Sequence, residues 1–245
     1  MYLKRDFVVN KKIIVGNMKM NLTLNLVNDY ISKMKKYDNV VICPSSLYIP
    51  YFIESGYIVG IQDISEYGNG AHTGEISINQ AKSVGIKFAI VGHSERRINY
   101  HETDDIVSNK LKKVVSNNMT AILCVGETLS ERNTKVEKDK IKYQLSLDLN
   151  NIEKEYYKNI IIGYEPIWAI GTGKMPKFEE IEEMINYIKE TISSQFGFVP
   201  PVLYGGSVDD KNIEQLKKIK NIDGFLVGGI CLFPDKFINL IEAVN

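Results

Sequence analysis

Five short clusters in the chain carry side chains able to do chemistry: Asn17 with Lys19; His93 through Arg97; Glu165 before Pro166; Gly205-Gly206-Ser207; and Gly228-Gly229. A carboxylate, an imidazole, an ammonium and an amide are the parts needed to take a proton from a carbon beside a carbonyl. Negative charge then moves from carbon to oxygen, so a base must stand at one and electrophiles at the other. Paired glycines suit a phosphate, because bare backbone N–H groups can approach an oxyanion closely. Each cluster alone also has an ordinary reading: a solvated loop lysine, a histidine satisfied in its turn, a surface carboxylate, tight turns that need positive φ. Their placement relative to the strands gives the chemical reading its weight.

Eight β-rich apolar runs recur, at residues 13–15, 40–43, 58–61, 88–91, 121–125, 160–162, 202–204 and 224–227. They are continuous rather than alternating, as strands buried on both faces of a parallel sheet are. Helical stripes lie between them: Leu24, Val27, Ile31 and Met34 after the first run, and Phe178, Ile181, Ile185, Ile188 and Ile192 after the sixth. Strand-plus-helix units of roughly thirty residues fill the chain with no linker or low-complexity tract. The expected fold class is α/β, a single (β/α)8 barrel domain over residues 1–245 with eight parallel strands inside and helices outside. A doubly wound open sheet would share the alternation but usually carries a Gly-rich phosphate turn after its first strand. Here that place reads Gly16-Asn17-Met18-Lys19-Met20-Asn21. In a parallel barrel the reacting groups stand at the C-terminal ends of strands, and the five clusters follow runs one, four, six, seven and eight.

Thirty basic and thirty acidic side chains cancel, which leaves no broad electrostatic footprint for nucleic acid. The three cysteines, Cys43, Cys124 and Cys231, are odd in number and far apart, without a CxxC, so neither a disulfide framework nor a zinc site is indicated. Residues 1–10 alternate charged and apolar side chains, and no later run is long enough to span a bilayer. A cytoplasmic protein with no membrane and no nucleic-acid partner is expected.

The Gly16–Asn21 run, Val91-Gly92-His93-Ser94-Glu95-Arg96-Arg97, Cys124-Val125-Gly126-Glu127, the eleven residues from Tyr164 to Lys174, Tyr204-Gly205-Gly206-Ser207-Val208 and Val227-Gly228-Gly229 resemble, in order along the whole chain, the triosephosphate isomerase family. The resemblance implies a TIM barrel that interconverts dihydroxyacetone phosphate and D-glyceraldehyde 3-phosphate through an enediolate, in glycolysis and gluconeogenesis, with no metal and no cofactor. It implies Glu165 as the base and His93 as a neutral imidazole at the substrate oxygens, kept neutral by the start of a short helix at residues 94–97. Lys19 becomes a fixed cation, Asn17 an amide donor, and Glu95 with Ser94 a supporting pair. Residues 166–174 resemble the mobile lid, with Gly171 and Gly173 giving backbone freedom and Trp168 and Ile170 apolar cover. Gly171, Ser207, Gly228 and Gly229 would hold the phosphate. Residues 62–77, far longer than an ordinary βα connection, resemble the interdigitating loop that sets Thr73 beside a neighbouring subunit's site, so a homodimer is expected.

Some positions depart from that family's usual pattern: Met18 for a common Trp, Asp63 for Asn, His72 for Phe or Tyr. Pro176, at the end of the lid, has no N–H to offer Tyr204. Pro201 stands where a basic residue is frequent, so an ion pair to Asp223 is not expected. Two other functions use the same scaffold: a Schiff-base aldolase with Lys19 as nucleophile on a phosphorylated ketose, and a silent phosphate-metabolite binder.

Overall fold

The computed structural model describes residues 11–172 and 174–245; the expectations for residues 1–10 and for Gly173 fall outside the described residues. Eight parallel strands close into a barrel in chain order. They are β1 (Ile13–Asn17), β2 (Val40–Cys43), β3 (Ile58–Ile61), β4 (Phe88–Val91), β5 (Thr120–Val125), β6 (Ile160–Tyr164), β7 (Val202–Tyr204) and β8 (Gly224–Val227). All eight expected runs are strands. β1, β5 and β6 run further than apolarity alone indicated, because ladder pairing carries polar and glycine residues along: Asn17 pairs with Cys43, and Gly163 with Cys124. Closure comes from β1 on β8, with Ile14 opposite Phe225.

Alternate residues of each strand face two cores. Val15, Val41, Ile90, Ile122, Ile161 and Leu203 fill the barrel interior. Ile14, Ile42, Val91, Leu123, Ile162 and Phe225 face outward against the helices. Burial on both faces is the reason the runs read as continuous apolar stretches.

The helices are α1 (Leu24–Lys33), α2 (Ile49–Glu54), α3 (Ile78–Ser83), α4 (Ser94–Asn99), α5 (Asp104–Ser116), α6 (Leu129–Asn133), α7 (Glu137–Asp148), α8 (Phe178–Phe196), α9 (Ile213–Leu216) and α10 (Pro234–Val244). In α8 the expected stripe is the buried one: Ile181, Ile185, Ile188 and Ile192 are buried, and Gly197 ends the helix in the left-handed region. In α1 and its C-cap the expected stripe holds at Val27 and Met34, which are buried, and at Ile31, which packs against the core, but Leu24 is exposed. Tyr30 is buried in addition, its ring beside Phe52.

Between β3 and α3, residues 62–77 are ordered by their own contacts. The Ser65 amide donates to the Ile76 carbonyl, the Ser77 hydroxyl to Asn69, and Tyr67 stacks on His72 with centroids 4.4 Å apart. Residues 67–75 are exposed. Two departures resolve simply. Met18 is fully buried, and Asp63 joins an ionic cluster with Lys110 at 2.7 Å and Arg96 at 2.8 Å. The third is a correction: Asp223 does form an ion pair, at 2.6 Å, with Lys189 from α8 rather than with a residue at position 201. A partner three turns into a helix is invisible to a reading that looks only along the strand.

Candidate active site

β1 ends in a strained turn. Lys19 has φ of 53°, a left-handed conformation that costs a non-glycine residue on the order of 1 kcal/mol or more. Its amide donates to Asn17 Oδ1 at 3.0 Å, and Gln62 Nε2 donates to its carbonyl at 2.8 Å and to the Cys43 carbonyl at 2.9 Å. These bonds hold the conformation, and its effect is to aim the long side chain across the barrel mouth. Lys19 Nζ meets Glu95 Oε1 at 2.6 Å.

β4 delivers His93 as the N-cap of α4, buried, with Nδ1 accepting the Glu95 amide at 3.2 Å. A ring whose Nδ1 lone pair is used this way carries its proton on Nε2. Nε2 lies 3.1 Å from Glu165 Oε1. Glu165 Oε2 accepts the Ser94 amide at 3.1 Å. Burial pushes the Glu165 carboxyl up, but His93, the Ser94 amide and Lys19 together outweigh it, and the net direction is down. Burial pulls His93 down, while Glu165 at hydrogen-bond distance lifts it further, so its net direction is up. That direction belongs to the pair facing each other. A second proton would have to go on Nδ1, where it would displace the Glu95 amide, so the amide at the start of α4 works against the imidazolium that Glu165 favours.

Glu165 itself needs room on both sides. Its amide donates to the Val125 carbonyl at 2.8 Å. A Cβ on Gly126 would fall 1.7 Å from the Glu165 carbonyl oxygen, and one on Gly205 would fall 2.9 Å from its Cγ. Gly206 similarly clears the Tyr204 hydroxyl. The bareness of the Gly205-Gly206 pair, read from sequence as serving an anion, therefore also accommodates protein side chains. The composition of the turn gave no hint of this, because the neighbours lie on other strands.

The segment after Glu165 is tied to a buried carboxylate that sequence reasoning had not singled out. Glu127 Oε1 accepts from Trp168 Nε1 at 2.9 Å and from the Tyr164 hydroxyl at 3.3 Å. Arg132 lies 3.6 Å from the same oxygen, with its guanidinium over the Trp168 ring. Beyond Trp168 the chain emerges: Gly171 and Thr172 are exposed, with Gly171 at φ of 66°. Ser207 Oγ donates to the Ala169 carbonyl at 2.6 Å. The Tyr204 hydroxyl is buried without a partner among the described residues.

One cavity of about 390 Å³ is lined by Asn17, Lys19, His93, Glu165, Gly171, Ser207, Gly228 and Gly229. The structure thus brings together the proposed base, its electrophiles and the glycine-rich end. Glu95 lines an adjoining cavity of about 280 Å³ together with Asn17, Lys19, His93, Tyr100 and Gly74. Ser94 reaches the site through its amide. Thr73 does not meet the other site residues within the chain; it stands exposed on the long loop.

The family model described as Triosephosphate isomerase matches residues 12–244. Among curated relatives, the triosephosphate isomerase of Malacoplasma penetrans is 40% identical over 95% of this chain and 98% of its own length. That of Mycoplasmoides gallisepticum is 39% identical with the same coverage. That of Flavobacterium psychrophilum is 37% identical over 95% of this chain and 99% of its own length.

Proposed function

The chain belongs to the triosephosphate isomerase family and interconverts dihydroxyacetone phosphate and D-glyceraldehyde 3-phosphate, and from that premise we propose that Glu165 is the base that carries the proton. The observation behind this reading is a carboxylate that stays ionised although buried, because His93, the Ser94 amide and Lys19 face it inside the glycine-lined cavity. Substrate carbon enters between Glu165 and His93, and the carboxylate leaves its contacts there to take the proton. As charge moves to oxygen it meets Nε2–H of His93, the Lys19 ammonium and the Asn17 amide, all fixed before the reaction begins. Glu165 then returns the proton to the neighbouring carbon. Glu95 holds Lys19 and caps His93 through its amide, and Ser94 parks the base between turnovers.

Gly171, Ser207, Gly228 and Gly229 hold the phosphate, with Ser207 exchanging the Ala169 carbonyl for the dianion as residues 166–174 close. Water exclusion by this lid protects the enediolate, which would otherwise eliminate its phosphate. The reaction serves glycolysis and, in reverse, gluconeogenesis. Nothing favours the aldolase, and Lys19 is committed to Glu95 rather than free to attack a carbonyl.

A homodimer is supported by the exposed apolar side chains Met20 and Tyr100, which line one cavity beside Lys19. It is supported also by the projecting loop 62–77, whose Thr73 would enter the partner's cavity beside Lys19. Balanced charge and three buried free cysteines support a cytoplasmic location; among the described residues no helix is long and apolar enough to cross a membrane.

The decisive test is a coupled isomerase assay on Glu165→Asp, which keeps the charge and withdraws it by one methylene. A displacement of about 1 Å should lower kcat on the order of a hundredfold with little change in KM. A near-normal rate would remove Glu165 from the role.

A further inference from the structure

Arg97 is the most heavily engaged charge outside the reacting groups. Its Nε donates to the Gly92 carbonyl at 2.8 Å, and its Nη2 to the Cys124 carbonyl at 3.2 Å. Its other hydrogen bonds go to two carboxylates, Asp104 at the start of α5 and Asp148 at the end of α7, the latter at 2.7 Å. Gly92 immediately precedes His93 and has φ of 69°; a Cβ there would lie 2.9 Å from the guanidinium and from Val107. Arg97 therefore lies against the open face of the very peptide unit that sets the His93 backbone. Through Cys124 it also grips β5, whose next residue, Val125, bonds the Glu165 amide. One planar group thus ties the turn that bears His93 to the strand that bears the backbone of Glu165. Its flat fork can serve these acceptors at once, which a point-charged ammonium cannot do.

Asp148 is unusual among these partners. It is fully buried, and its Oδ1 has no partner among the described residues. A buried carboxylate with half its acceptors idle is costly, and it can be kept only by what its other oxygen holds. Burial pushes the Asp148 carboxyl up to about 7 against the pull of Arg97; Asp104 adds to the rise and Lys140 opposes it.

We infer that Arg97 is a positioning residue for the isomerisation, with Asp148 as the buried counter-charge that fixes its guanidinium against Gly92 and so sets the orientation of the His93 ring. This rests on the role given to His93 above. Neither Arg97 nor Asp148 reaches the reaction cavity, so their effect passes through the turn and not through substrate.

The test uses the full-length enzyme at pH 8, where Asp148 is ionised, in two variants: the isosteric Asp148→Asn and Arg97→Lys. The measurements are kcat, KM and the nitrogen resonances of the His93 imidazole, with wild-type thermal unfolding as reference. Expected are a kcat lower by about threefold in Asp148→Asn and at least tenfold in Arg97→Lys, KM within about twofold, and displaced His93 resonances in both. Should Arg97→Lys fail to fold, Asp148→Asn alone decides. Unmoved His93 resonances in Asp148→Asn would overturn the inference while leaving the catalytic role of His93 intact. Displaced resonances with kcat within experimental error of wild type would overturn both.

Discussion

Glu165 is placed by what is missing beside it. Gly126 clears its backbone carbonyl and Gly205 clears its Cγ, so the proposed base sits in a slot left by the turns after two neighbouring strands. Gly205→Ala would add a methyl group 2.9 Å from Cγ, tighter than van der Waals contact allows, and push the carboxylate from its working position. The expected outcome is a kcat lower by on the order of tenfold to a hundredfold, with KM and the unfolding temperature little changed. Steady-state kinetics with a parallel melt would check it, and an unimpaired kcat would mean that Glu165 does not need the slot. That Asn17, Lys19, His93 and Glu165 would meet at one barrel mouth was legible in the sequence because each stands within a few residues of the end of an apolar run. The slot was not, because it depends on distances between β5, β6 and β7. Glu127 was likewise quoted within a motif without a role, since its partners Trp168 and Tyr164 lie some forty residues away.

At the scale of elements, Pro176 stands at the hinge after the proposed lid of residues 166–174, and β7 ends in Tyr204, whose hydroxyl is buried with no partner among the described residues. Proline offers that hydroxyl no N–H, and an unpaired buried hydroxyl costs about 1–3 kcal/mol. Tyr204→Phe is therefore expected to keep kcat within about threefold and to hold or raise the melting temperature. A fall in kcat of a hundredfold would show that the closed lid finds the hydroxyl by another route. The strands themselves could be read almost to the residue, since burial on both faces leaves an uninterrupted apolar signature. The α1 face could be read except at one end, because Leu24 satisfies the spacing but is exposed, while Tyr30 takes a core position by packing against Phe52. Spacing alone does not weigh one apolar side chain against another.

At the scale of the whole molecule, two outcomes are expected. Exposed Met20 and Tyr100, lining one cavity, and the loop bearing Thr73 predict a dimer at micromolar concentration in sedimentation velocity; a fully active monomer would remove the partner from the site. The second concerns pH. Asp148 binds its proton more tightly in the folded state than an ordinary carboxyl, because burial raises it to about 7. Its contribution to stability is complete below the ordinary carboxylate value near 4 and is lost as pH rises through about 7, an effect on the order of 4 kcal/mol. Denaturant unfolding of wild type and Asp148→Asn should therefore diverge across that window, the wild type losing ground as pH rises. Parallel curves would show that Asp148 titrates normally.

Trp168 is the one tryptophan in the chain. It sits in the proposed lid, its indole N–H on Glu127 and the Arg132 guanidinium over its ring. The protein therefore carries an intrinsic fluorophore in the segment proposed to close over substrate, with no second indole to blur the emission. A temperature-jump recorded at tryptophan wavelengths would time the opening of that segment in unlabelled, unmutated enzyme, and addition of a phosphate-bearing inhibitor would give its closing rate from the same signal.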